Sequence, residues 1–238
     1  MRFDCRLLML GLGLCAATSP AFTLSPMSTT LDSKGNGAVR SFRVENESSN
    51  RVAFQITVLT REMDAEGRET NQPAADLFTL FPPQGTIAPG KSQTVRLVWK
   101  GPENLARERA FRLVAEELPV NFTLEKDKAQ IKVLVRYMAA VYVRPKNAKP
   151  NLQVTGFARS ETNTYVLTVT NAGTAHQPLR EPALALTDAQ GRKREVSADS
   201  LAPVAGQNVL AGQARQFVLT LPADFQEPAY QARLTADE

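Results

Sequence analysis

A single imidazole limits the acid–base chemistry open to this chain. His176 is the only histidine, and it lies between Gly173 and Pro178. A nucleophilic triad would need it as the base, and nothing near it resembles a nucleophile elbow. We therefore expect His176 to be an exposed loop residue. The two cysteines, Cys5 and Cys15, both fall near the start of the chain. One imidazole without cysteines beyond that point cannot build the common structural zinc sites. No G-x-G-x-x-G precedes a helix and no phosphate loop is present. Carboxylates are scattered, and nothing selects a pair for acid–base work. Basic residues are dispersed and do not interleave with aromatics as a single-strand-binding surface requires. These observations imply no metal and no cofactor, and make a binding surface the main chemistry left.

The elements that would present such a surface start after a leader. Arg2 and Arg6 precede an apolar run from Leu7 to Ala17, and Ser19-Pro20-Ala21 supplies small residues. This reads as a secretory signal peptide, residues 1–21, cut before Phe22. The apolar run is eleven residues long, against roughly 20 needed to cross a bilayer. Both cysteines leave with it, so a disulfide framework, a thiol nucleophile and a thiolate metal site are excluded from the exported chain. The 238 residues are 43% hydrophobic and 22% charged with a formal charge of +4. That composition excludes disordered and collagen-like classes and a dense nucleic-acid-binding tail. No second apolar run of membrane length follows, so a soluble protein without stable membrane insertion is expected.

After the leader the hydrophobic period is two nearly throughout. Val52, Phe54, Ile56 and Val58 alternate, as do Val95, Leu97 and Trp99, and later Tyr165, Leu167 and Val169. Each such run predicts a strand, and polar turns such as Asn46-Glu-Ser-Ser-Asn50 and Asp188-Ala-Gln-Gly191 separate them. The longest extended run is Ile131 to Val143. Lys146-Asn-Ala-Lys-Pro150 reads as a hinge, after which the pattern restarts. Many short strands between turn residues predict an all-β chain of two β-sandwiches. The expected boundaries are 22–145 for the first, 146–150 for the hinge and 151–238 for the second.

Three stretches carry a more specific signal. They are Phe81 through Leu97 (FPPQGTIAPGKSQTVRL), Arg107 through Pro119 (RERAFRLVAEELP) and Ile131 through Pro145. In order and spacing they resemble the periplasmic chaperones of fimbrial (pilus) assembly by the chaperone–usher route. The wording of the second and third is closer to the archaic or alternate branches. The resemblance implies two immunoglobulin-like domains in a boomerang arrangement, in the periplasm of a Gram-negative bacterium. It implies pilus subunits and an outer-membrane usher as partners, and no nucleic acid. In that family the chaperone lends a strand to a subunit that lacks its last one, a strand addition to a sheet edge.

By this resemblance the donor strand spans about Lys128 to Tyr142. Ile131, Val133 and Val135 match the residues that plug the subunit groove, and period two gives them one face. The bland alternative is that all three pack inside their own sandwich. The resemblance breaks at one point. Better-known members carry an arginine and a lysine that grip the subunit's terminal carboxylate, and gapless matching puts these at Ser28 and Ala140. Arg136, Arg112 and Arg96 are the rival replacement anchors. Arg144, before Pro145, matches an arginine of an interdomain ion pair, with Glu108 as its candidate partner by position; the alternative is a surface arginine at a strand end. Two other functions stay open at this point: a chaperone-like sandwich for another exported surface protein, and an enzyme.

Overall fold

The computed structural model describes residues 22–120, 134–225 and 230–237. The leader, Ile131 and Val133 lie outside the described residues. The first half comprises β1 (Phe22–Ser25), β2 (Ser28–Asp32), β3 (Val39–Asn46), β4 (Val52–Thr60), β5 (Glu62–Met63), β6 (Glu69–Thr70), β7 (Phe78–Phe81), β8 (Gln84–Ile87), β9 (Lys91–Trp99), β10 (Arg109–Leu118) and β11 (Arg136–Arg144). The second comprises β12 (Leu152–Glu161), β13 (Thr164–Asn171), β14 (Gln177–Pro178), β15 (Arg180–Thr187), β16 (Lys193–Glu195), β17 (Asn208–Val209), β18 (Ala214–Thr220) and β19 (Gln231–Asp237). Only short 3-10 turns interrupt the strands among the described residues. Residues 106 and 107 form a bend just before β10.

Alternation becomes burial. In β9, Val95, Leu97 and Trp99 are buried while Thr94 and Arg96 are exposed. The sheet β1-β3-β9-β7 packs on the sheet β2-β11-β10-β4-β8, and their inner faces meet at Phe22, Phe42, Phe54, Leu97, Phe111 and Val141. In the second half β12-β13-β18 and β16-β15-β19 enclose a separate core around Tyr165, Leu167, Leu186 and Leu219. Each Leu or Phe so buried contributes roughly 1.5–3 kcal/mol, which is how two sandwiches stand without disulfides. β11 is nine residues long over the described part, shorter than the ten of β10 and β12; the upstream part of the expected long run is outside the described residues.

The halves repeat one structural device. Asn46 closes β3, and its buried amide donates to the carbonyls of Asn50 (2.7 Å) and Ile87 (3.0 Å) while its oxygen accepts from the Ser48 amide. Asn171 closes β13 and does the same with Ala175 (2.7 Å), Val209 (3.1 Å) and the Gly173 amide. The Gly90 amide bonds the Asn46 carbonyl as the Gly212 amide bonds that of Asn171. Both glycines sit at positive φ, 64° and 71°, where a Cβ is unfavourable. Each side chain thus satisfies one loop carbonyl, at Asn50 or Ala175, and one at a strand end, Ile87 of β8 or Val209 of β17. Asn46→Ala and Asn171→Ala should each cost about 1–3 kcal/mol, because two carbonyls lose a buried donor. Urea denaturation measures this; an unchanged midpoint in either variant would contradict it.

Candidate functional site

β11 is the strand both halves use. Its odd face (Ala139, Val141, Val143) enters the first core, with Tyr137 and Val135 packed at the edge. Its even face, Ala140 and Tyr142, meets Leu210 of the second half, with Met63 and Ala110 alongside. β11 runs antiparallel to β10 and parallel to β2.

One row crosses this sheet. Ser28 pairs with Ala140, Ala140 with Arg112, and Arg112 with Leu59. The two neutral positions expected from gapless matching are therefore direct neighbours, and Arg112 is the next residue along. Arg112 donates to Glu69 of β6 through Nε (2.9 Å) and Nη2. Arg61, which follows β4, donates to the same carboxylate through Nε at 2.8 Å and to the Tyr142 hydroxyl through Nη1 at 2.8 Å. Burial pushes the Glu69 carboxyl up, but the bonds and charges of Arg112 and Arg61 outweigh it and hold the group below the ordinary carboxylate value. Two guanidinium groups thus share one carboxylate, leaving one positive charge over.

The same tyrosine ties in the second half. Asn208 donates to the Tyr142 hydroxyl at 2.8 Å, and the His176 ring stacks on the Tyr142 ring at 3.6 Å. Burial raises the Tyr142 pKa. Glu108 accepts from Arg144 Nε at 2.7 Å and from the His176 amide at 3.0 Å, with His176 Nδ1 at 2.6 Å. Burial alone would raise the Glu108 carboxyl; His176 and Arg144 together hold it below its usual range. The β5–β6 hairpin closes the junction from another side. Its Ala65 carbonyl accepts from the Gln216 amide at 2.7 Å, and a Cβ on Gly67 would meet the Arg215 guanidinium.

Of the residues named from sequence, the structure joins Arg144 to Glu108 and sets Arg112 in the row with Ser28 and Ala140. It does not bring the other two arginines there. Arg136 pairs with Glu116 across the exposed end of β10–β11 at 2.9 Å. Arg96 stands on the opposite sheet, facing out between buried Val95 and Leu97. Val135 is partly buried, packed against the first core. The expectation for His176 is corrected: its side chain is 12% exposed, because Tyr142 and Glu108 cover it. Sequence reasoning missed Arg61, Glu69 and Tyr142. The Asp64–Gly67 turn marks the hairpin, but no spacing links Glu69 to Arg112, 43 residues on.

The family model for pili and flagellar-assembly chaperones, PapD N-terminal domain, matches residues 23–149. The chain belongs to that family. Chaperone protein FimB/FhaD of Bordetella pertussis is 26% identical over 149 residues, 60% of this chain and 59% of that protein's own length. A chain of the CsuC–CsuE chaperone–tip adhesion subunit complex, from archaic chaperone-usher Csu pili of Acinetobacter baumannii, is 15% identical with a TM-score of 0.56, over 83% of this chain and 90% of its own. The class 5 fimbriae chaperone CfaA is 14% identical with a TM-score of 0.57, over 91% of this chain and all of its own. These structural likenesses establish the fold, two immunoglobulin-like β-sandwiches.

The Glu108 cluster generates a pH prediction. A carboxyl whose folded pKa is depressed stabilises fully above its unfolded value of about 4.3, and the gain is lost as pH falls through the folded value. Denaturation midpoints of the parent should therefore drop below about pH 4.3 by more than those of Glu108→Gln. At neutral pH that variant should be less stable by about 1.5–3 kcal/mol, the worth of a charged hydrogen bond. Parallel pH profiles for the two proteins would contradict this.

Proposed function

We propose that this protein is a periplasmic chaperone that captures pilus or fimbrial subunits by strand donation and passes them to an outer-membrane usher. In this reading it is a binding protein rather than an enzyme, and no cofactor enters the cycle. Residues 1–21 are the export signal, 22–145 the domain that carries the donor strand, 146–150 the hinge and 151–238 the second domain. The two domains meet in a boomerang, with Arg144–Glu108 fixing their angle.

The observation that carries the proposal is a gradient along one face of β11. Val143, Val141 and Ala139 are fully buried, while Tyr137 and Val135 are only partly covered. Upstream, the period of two in the sequence continues with the apolar residues Val133 and Ile131. In this reading they serve a guest's groove rather than the home core. A subunit short of one strand exposes apolar core and unpaired backbone, both aggregation hazards. An inserted strand satisfies both, and β-branched residues fill such a pleated surface well. Of the three candidate anchors, Arg112 takes the guest's terminal carboxylate in this reading, because it shares the row with Ser28 and Ala140.

A second reading has one observation in its favour. The neutral Ser28–Ala140 step departs from the better-known chaperones, which fits a chaperone-like sandwich serving another exported surface protein. Mass spectrometry of what co-purifies from periplasmic extract separates the two.

Val133→Asp tests strand donation. An unpaired carboxylate would enter an apolar groove, and losing the valine's burial alone weakens capture by about 10–100-fold. We expect the variant to melt like the parent and to pull down no subunit. Full capture by the variant would refute donation. A variant that cannot fold would place Val133 in its own core instead.

A further inference from the structure

We propose that Glu69 is an internal carboxylate that occupies the Arg112 guanidinium in the guest-free protein, and that an incoming terminal carboxylate binds by replacing it there. The inference rests on the reading of Arg112 as the anchor and adds the group that regulates it.

The contacts favour replacement over addition at the edge that Glu69 holds. Arg112 commits both Nε and Nη2 to Glu69. Its Nη1 has a long 3.4 Å contact to the Met138 carbonyl. A second carboxylate cannot form a two-point grip on the same edge while Glu69 holds it. Glu69 has somewhere to retreat. Arg61 already holds one of its oxygens at 2.8 Å, and the Arg61 side chain is only 8% exposed. Arg61 is in turn fixed by the Tyr142 hydroxyl. Glu69 can release Arg112 and remain paired with Arg61.

Charge favours the exchanged state. Guest-free, two arginines share one carboxylate, a net excess of one positive charge in a partly buried place. With a guest carboxylate on Arg112 and Glu69 on Arg61, each cation has its own anion. Burying unbalanced charge is costly, so the second anion is drawn in. The hairpin that carries Glu69 need not move. Its turn is pinned to the second half through the Ala65 carbonyl and the Gln216 amide, so a change of Glu69 side-chain rotamer suffices. Glu69 also keeps Arg112 satisfied when no guest is present, so adventitious anions must compete with a preformed bidentate partner. The site thereby selects ligands that bring a carboxylate together with other binding energy, as a donated-strand complex does.

The test uses the exported full-length protein and sodium acetate, exchanged for sodium chloride at constant ionic strength, with acetamide as the neutral control. The Nε–H resonances of Arg112 and Arg61 report occupancy by NMR. If Glu69 competes, Glu69→Gln should respond to acetate at about tenfold lower concentration than the parent, the weight of one charge-assisted hydrogen bond. Glu69→Asp, whose shorter side chain loosens the two-point grip, should fall between them and keeps the test valid if the glutamine variant is unstable. Arg112→Gln should abolish the response. Equal or weaker acetate binding in both Glu69 variants would overturn the proposal, as would a parent and variants all indifferent to acetate. Strand donation is not involved in acetate binding. Failure here with loss of capture in Val133→Asp would leave the chaperone reading intact, and the reverse pattern would leave Glu69 competition intact.

Discussion

Everything in this molecule depends on one strand being read on both faces. β11 alternates with period two, and each face answers to a different partner. The odd face closes the first hydrophobic core at Ala139, Val141 and Val143. The even face offers Ala140 and Tyr142 to the second half. A one-residue slip would exchange the two faces, putting Tyr142 into the first core and Val141 into the polar junction. The long ladder to β10, from Arg109↔Val143 to Glu116↔Arg136, fixes the register against that slip.

Polar chemistry follows from the same register. Because Tyr142 points to the junction, its hydroxyl can accept from Arg61 on one side and Asn208 on the other. Its ring gives His176 a stacking platform, which in turn delivers an imidazole to Glu108. Because Arg112 stands opposite Ala140, a small residue, its guanidinium has room on that face and meets Glu69 from the β5–β6 hairpin. Two carboxylates, Glu108 and Glu69, each gather two cationic or hydrogen-bonding partners. Both belong to the first half, yet Glu108 is completed by His176 of the second, and the Glu69 hairpin is pinned by Gln216. The Arg112–Glu69–Arg61 group and the Glu108–His176 contact between the halves are thus linked through Tyr142.

Much of the fold was legible because strand periodicity is local. Val95-Arg96-Leu97 shows its two faces within three letters, and the structure buries and exposes them accordingly. The pairing of Arg144 with Glu108 was suggested by position within a resemblance. His176 does lie in a loop, as its neighbours Gly173 and Pro178 suggest, but a loop says nothing of burial; what covers it is Tyr142, 34 residues earlier on β11. The pairing of Arg112 with Glu69 was illegible for the same reason. A salt bridge between a β-strand and a hairpin 43 residues away leaves no period in the sequence. The Asn46 and Asn171 devices were half legible. The polar turn at Asn46 stood out, but the carbonyls at Ile87 and Val209 come from the ends of distant strands.

The central claim is that the odd face of the 131–135 segment passes into a guest. The chain beyond residue 21 has no cysteine, so single variants Ile131→Cys, Lys132→Cys, Val133→Cys and Leu134→Cys report without background. Maleimide labelling of each, free and in complex with the subunit that co-purifies, is the most direct measurement. The account predicts that positions 131 and 133 label in the free protein and are protected in the complex, while 132 and 134 label in both. Equal labelling of 133 with and without subunit, or protection of 132 and 134 to the same degree as 133, would contradict it.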